Sequence, residues 1–131
     1  MRTILFLVML SLVSFDSIAQ EEHYLHEQHR HPKYAKIKNP VAMTEKSIAE
    51  GNKLYEQHCM ACHGKAGKGG IGPSLTGSVL NHGNTDGEMF HVITHGVAGT
   101  AMKGFKKLLN DEMRWYLVNY IKSIRETEKV K

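Results

Sequence analysis

Cys59-Met60-Ala61-Cys62-His63 is the stretch on which the reading of this chain turns. The pentapeptide holds the only two cysteines of 131 residues, and a histidine directly follows the second. Two thiols about one helical turn apart can add across the two vinyl groups on one edge of a porphyrin. The next residue then lies under the macrocycle, where its imidazole reaches the iron. Cys-x-x-Cys-His is therefore read as a covalent haem-attachment signal, with Cys59 and Cys62 as thioether carriers and His63 as an axial ligand. Two other chemistries use Cys-x-x-Cys. A thioredoxin-like redox pair belongs beside a βαβ pattern, and the sequence has none. A zinc site lacks a second cysteine pair, so His58 and His63 would have to complete a cramped tetrahedron.

Outward from the motif the pattern is helical, broken by glycine. Residues 44–58 fit a helix that Thr44 or Ser47 can cap, and Ser47-x-x-Glu50 has capping-box spacing. Ile48, Gly51, Leu54 and Tyr55 fall on one of its faces. Residues 64–84 carry Gly64, Gly67, Gly69, Gly70, Gly72, Gly77 and Gly83 together with Pro73, and read as a loop. Thr85-x-x-Glu88 is a second capping box, opening a helix over 88–95 with Met89, Val92 and Ile93 inward and Gly96 as its stop. A further Gly-rich loop spans 96–104. Asn110 or Asp111 caps the last helix, where Met113, Leu117, Tyr120, Ile121 and Ile124 recur at helical period and Trp115 and Tyr116 flank them. No strand pattern of useful length occurs. The expected class is all-α, three to four helices with long Gly-rich loops.

The N-terminus reads differently. Arg2, the apolar run from Ile4 to Val13 and Ser17-Ile18-Ala19 make residues 1–19 a secretory signal peptide. Its apolar block is too short for the roughly 20 residues a membrane span needs, although an uncleaved anchor is the alternative. Residues 20–42 are polar, punctuated by Pro32 and Pro40, and expected as an extended or loosely packed arm. The domain proper is assigned to 43–131. The net charge of +4 survives removal of Arg2 with Asp16, and so modest an excess gives no case for nucleic-acid binding. No phosphate-binding glycine loop precedes a helix, which excludes nucleotide chemistry.

From about residue 39 to 124 the chain resembles the class I monohaem cytochromes c of bacterial periplasmic type. That family places a glycine and an aromatic before the first haem cysteine, matched by Gly51 and Tyr55. They pack there against an aliphatic and an aromatic on the C-terminal helix, matched by Leu117 and Tyr120. Gly72-Pro73-Ser74-Leu75 matches the family's Gly-Pro-x-Leu, and the resemblance implies that the Pro73 carbonyl accepts the Nδ1–H of His63. It also implies a small cytochrome c fold wrapped around one haem c. For the sixth ligand, Met1 and Met9 leave with the signal, Met43 precedes the first helix, Met60 is trapped between the cysteines, and Met89 and Met113 sit on core stripes. Met102 remains, in Thr100-Ala101-Met102-Lys103-Gly104-Phe105, which resembles the family's distal-methionine loop. Lys103 stands where many members have proline, which predicts a less rigid loop. His82, His91 and His95 are the rival ligands.

His63/Met102 ligation saturates the iron and raises its potential, which implies electron transfer without catalysis. The expected function is a periplasmic one-electron carrier, or else the dedicated electron-transfer subunit of a dehydrogenase or reductase. A haem sensor or enzyme with an open iron, and a metal-handling protein built on the arm, are the alternatives from other classes. The arm carries His23, His26, His29 and His31, read as a solvated, variably protonated tail, with a copper or zinc site as the sharper alternative. Lys65, Lys68, Lys103, Lys106 and Lys107 lie in the two loops beside the expected haem edge and would steer an acidic redox partner, or simply keep the loops soluble. The chain is expected to act as a monomer with no stable membrane insertion once the signal is removed.

Overall fold

A computed structural model describes residues 31–129; the expected signal segment 1–19 and His23, His26 and His29 lie outside the described residues. The first helix, α1, spans Glu45–His58 and is opened by the Thr44 cap. The Thr44 hydroxyl accepts from the Ser47 amide at 3.1 Å, and the Ser47 hydroxyl accepts from the Thr44 amide at 2.9 Å. The capping box is therefore Thr44 with Ser47, not Ser47 with Glu50. Ser47 is already committed, because its hydroxyl also donates to the Ala42 carbonyl at 2.9 Å. A single turn, α2, covers Met60–His63, offset from α1 at Cys59, and a short 3-10 turn follows over Lys65–Gly67. The next helix, α3, spans Asp86–His95 under the Thr85/Glu88 box. It begins two residues earlier than expected, because Glu88 occupies the third helical position and not the first. The last, α4, spans Asp111–Lys129, with the Asn110 side chain accepting from the Met113 amide at 2.9 Å. No strand occurs among the described residues, only an isolated bridge between Gly96 and Lys103. No described helix is long and apolar enough to cross a membrane.

The core is the crossing of α1 on α4. Gly51 lets the two backbones meet, since a Cβ there would lie 2.1 Å from the Tyr116 carbonyl oxygen and 2.8 Å from the Tyr120 Cβ. One turn further on, the Tyr55 and Tyr120 rings sit 5.0 Å apart, and Tyr55 and Leu117 are fully buried. The α3 helix joins through Phe90, stacked on Trp115 at 3.9 Å, and through an Asp86–Lys122 ion pair of 2.8 Å. The inward face of α4 is Trp115, Leu117, Val118, Tyr120 and Ile121. Met113, expected on that stripe, is 38% exposed in the first turn. The stripe thus begins two residues later than its period suggested, with Trp115 inside.

The segment expected as an arm is described from His31 onward, and there it is docked. Asn39 donates from its side chain to the Trp115 carbonyl at 3.2 Å and to Asn119 Oδ1 at 2.9 Å. Buried Asn119 in turn donates to the Val41 and Ala42 carbonyls and to the Ser47 hydroxyl. Gly87 is small because residues 34–37 run across it: a Cβ would meet the Tyr34 carbonyl oxygen at 2.1 Å. Paired polar groups inside a core cost little, whereas one of them left alone costs about 1–3 kcal/mol. This network accordingly fixes where the segment lies.

Candidate haem-attachment site

The carbonyl of Cys59 accepts from both the Cys62 and His63 amides, at 3.1 and 2.9 Å, so both cysteines and the histidine ride on one turn. Cys62 is exposed and Cys59 half-buried, and the two thiols are not joined in a disulfide. Burial first, and then the neighbouring Cys62, pushes the Cys59 thiol up to about 11. A redox pair of the thioredoxin kind needs the opposite shift, toward a stabilised thiolate. The residues beyond the turn fold back on it. The Gly69 amide donates to the His63 carbonyl at 2.7 Å, and the Gly72 amide to the Cys62 carbonyl at 2.8 Å.

That fold-back aims the imidazole. His63 Nδ1 lies 2.9 Å from the Pro73 carbonyl oxygen, the contact implied by the resemblance. With a carbonyl as partner Nδ1 must carry the proton, which leaves Nε2 as the lone-pair nitrogen. Gly72 sits against the same ring; a Cβ would approach its Cε1 and Nδ1 to 3.0 and 3.1 Å. The proline fixes the acceptor and the glycine gives the ring room. Tyr55 supports the turn from below by donating its hydroxyl to the Gly64 carbonyl at 2.7 Å. Burial, and next the Cys59 charge, pushes that phenol up to about 12.

Met102 is half-buried on the 96–104 loop, which is better tied than its glycines suggested. The Val97 amide donates to the Met102 carbonyl at 3.0 Å, and the Met102 amide to the Thr100 hydroxyl at 3.1 Å. The Phe105 amide returns to the Ile93 carbonyl at 2.9 Å, closing the loop against α3. These bonds hold the loop in a defined shape although Lys103 stands where a proline was expected. Phe105, which follows the methionine loop, lies with its ring 5.9 Å from that of His58, the residue before Cys59. Of the rival histidines, His91 stacks on Tyr34 at 3.9 Å, His95 is exposed and His82 is half-buried.

The donor set, two thiols and an imidazole with a free Nε2 on one turn, suits a haem. Leu75, Leu80 and Phe105 pack on the core but stay only partly covered, and Ile71, Val79 and Leu108 are 89%, 46% and 64% exposed. Ile71 and Val79 belong to the loop that follows the cysteine turn, and exposed apolar side chains of that kind are what a large apolar group would cover. Arg125 was not legible as part of the frame. Its guanidinium is buried and donates to the Gly77 and Ser78 carbonyls and to Asn84 Oδ1, pinning the 64–84 loop to α4. Nothing in its local sequence, three residues after Lys122, marks it for that role.

The family model described as cytochrome c oxidase, cbb3-type, subunit III matches residues 46–121. The chain is similar to dihydro-heme d1 dehydrogenase of Pseudomonas aeruginosa, with 39% identity over 80 residues covering 61% of this chain and 16% of that one. It is similar to cytochrome c55X of Stutzerimonas stutzeri, 37% identical over 84 residues covering 61% of this chain and 74% of that one. Among solved structures, cytochrome cL from Hyphomicrobium denitrificans superposes with a TM-score of 0.56 at 27% identity, over 61% of this chain and 49% of that one.

Proposed function

The chain belongs to the cytochrome c family described as cytochrome c oxidase, cbb3-type, subunit III, and from that premise we propose a periplasmic one-electron carrier with His63 and Met102 as axial ligands. In this reading residues 1–19 are the export signal and 43–131 the haem domain. Cys59 and Cys62 form the thioethers, and His63 ligates through Nε2. The observation that carries it is the His63 Nδ1 to Pro73 carbonyl contact of 2.9 Å, which leaves Nε2 as the free nitrogen of a ring carried on the same turn as the two cysteines. Haem c, when bound, supplies the ferric/ferrous couple.

What the protein contributes is holding and exclusion. Pro73 fixes the tautomer and orientation of His63, and the hydrogen bonds of the 96–104 loop give the Met102 backbone a defined position. A thioether from Met102 and an imidazole from His63 would together leave the iron no position for substrate, which is the property of a carrier. The relative whose name states an enzyme activity is a much longer protein, of which this chain matches 16%. The family's description as an oxidase subunit supports a redox protein as partner. Exposed Lys65, Lys68, Lys103, Lys106 and Lys107 give that partner a basic face to meet. We take the carrier as a monomer.

The ligand assignment is tested with Met102→Ala. The weak red-end band of the ferric protein should vanish, the potential should fall, and the ferrous protein should begin to bind carbon monoxide. An unchanged spectrum in Met102→Ala, with the band lost on changing His82, His91 or His95, would assign the position to a histidine instead.

A further inference from the structure

A second cluster of ligand-type side chains lies on α3, where the N-terminal segment docks. His91 and His95 are four residues apart on that helix and their rings are 4.7 Å apart. Two histidines at this spacing share one helix face, the arrangement that lets a pair of imidazoles grip one cation. The docked N-terminal segment completes the surroundings. It brings His31 from sixty positions away in sequence to 4.4 Å from the His91 ring, and stacks Tyr34 on the same ring at 3.9 Å. His91 Nδ1 is shut off from solvent and has no hydrogen-bond partner. A buried ring nitrogen in that state is uncommon and calls for an explanation.

We propose that His91 and His95 chelate one divalent transition-metal ion of imidazole-preferring type, with Tyr34 and His31 holding the His91 ring in place. Among the described residues no group of three or more His, Cys, Asp or Glu side chains is arranged to hold a metal. The site is thus a two-histidine chelate. Imidazole suits zinc, copper and nickel, and only the neutral ring is a ligand. Burial, and then the charges of His31, His95 and Lys33, holds the His91 ring below its ordinary range. The opposing feature is Lys33, whose ammonium lies 5.0 Å from the Tyr34 ring and repels a cation. The chelate therefore has to favour an ion that binds imidazole strongly over a hard cation such as magnesium.

The test uses ferric holoprotein and copper(II), followed by the copper resonance in electron paramagnetic spectra and by calorimetry. His23, His26 and His29 are first replaced by Gln, so that the N-terminal tract cannot supply the ligands. In that background one equivalent of copper should bind with an imidazole-nitrogen splitting pattern. His91→Gln and His95→Gln should each weaken it about tenfold or more, the loss of one of two ligands being worth at least 1.4 kcal/mol. His95 is exposed, so His95→Gln keeps the test valid if His91→Gln disturbs the packing. Loss of copper binding in the triple-Gln background, or equal affinity with and without His91 and His95, overturns the proposal. So does a change in the haem visible spectrum of His95→Gln, which would make that histidine an iron ligand.

Discussion

Replacing Gly51 with alanine separates two opposing effects by their sign. In an exposed helix interior the change stabilises, because glycine is worse than alanine by roughly 0.8–1.0 kcal/mol. Here the new methyl would lie 2.1 Å from the Tyr116 carbonyl oxygen, 2.8 Å from its carbon and 2.8 Å from the Tyr120 Cβ. Ordinary contact lies near 3.5–4.0 Å, so α1 and α4 must move apart by more than 1 Å at their crossing. The obstacle is helix backbone and cannot rotate aside. Such overpacking typically costs about 1–3 kcal/mol, and the upper end applies where two backbones have to shift. The Tyr55–Tyr120 contact one turn away is loosened by the same movement. After the propensity gain, a net loss of about 2 kcal/mol remains. For a domain near 100 residues that lowers the melting temperature by roughly 8–16 °C. Thermal unfolding of the haem-loaded protein by circular dichroism measures it, with the visible spectrum at room temperature unchanged. A melting temperature equal to or above the parent's would refute the close helix crossing.

Arg125→Met removes the donor shared by Gly77, Ser78 and Asn84, and should cost about 2–3 kcal/mol in a denaturant midpoint while loosening the 64–84 loop to proteolysis. Denaturation at the parent midpoint would leave that clamp without energetic weight. Tyr55→Phe keeps the ring in the core but drops the bond to the Gly64 carbonyl, so stability should fall by about 1 kcal/mol with the haem spectrum nearly unchanged. No loss would mean water replaces the phenol. Lys106→Glu with Lys107→Glu should slow reduction by an acidic redox protein about tenfold at low ionic strength and flatten its salt dependence, read by stopped flow. Equal rates in variant and parent would free those lysines of a docking role.

Much of this fold is legible along the chain because its signals are local. Two capping boxes, the glycine stops and the 3.6-residue period of α4 each act within a few residues, and each lies where the sequence put it to within a few positions. Met113 strays because a period fixes a stripe's direction but not its first buried member, which depends on what covers the opening turn. The contact of His63 with Pro73 was implied by family resemblance, and no spacing rule would have supplied it. Asn39, Asn119, Gly87 and Arg125 were silent. Their partners are 41 to 80 residues away, and a polar residue in sequence carries no mark of a distant carbonyl. The docking of residues 31–42 was missed for the same reason: Pro32, Pro40 and the lysines between them look like tail, while what fixes the segment is two asparagines.

The covalent attachment itself is tested most directly by the mass of the protein unfolded in acid and stripped with organic solvent, followed by digestion. One haem per chain is expected, still bound after unfolding and carried by the peptide containing Cys59 and Cys62, with neither thiol open to alkylation. Haem that extracts into the solvent, or a peptide whose two cysteines alkylate freely, would contradict it.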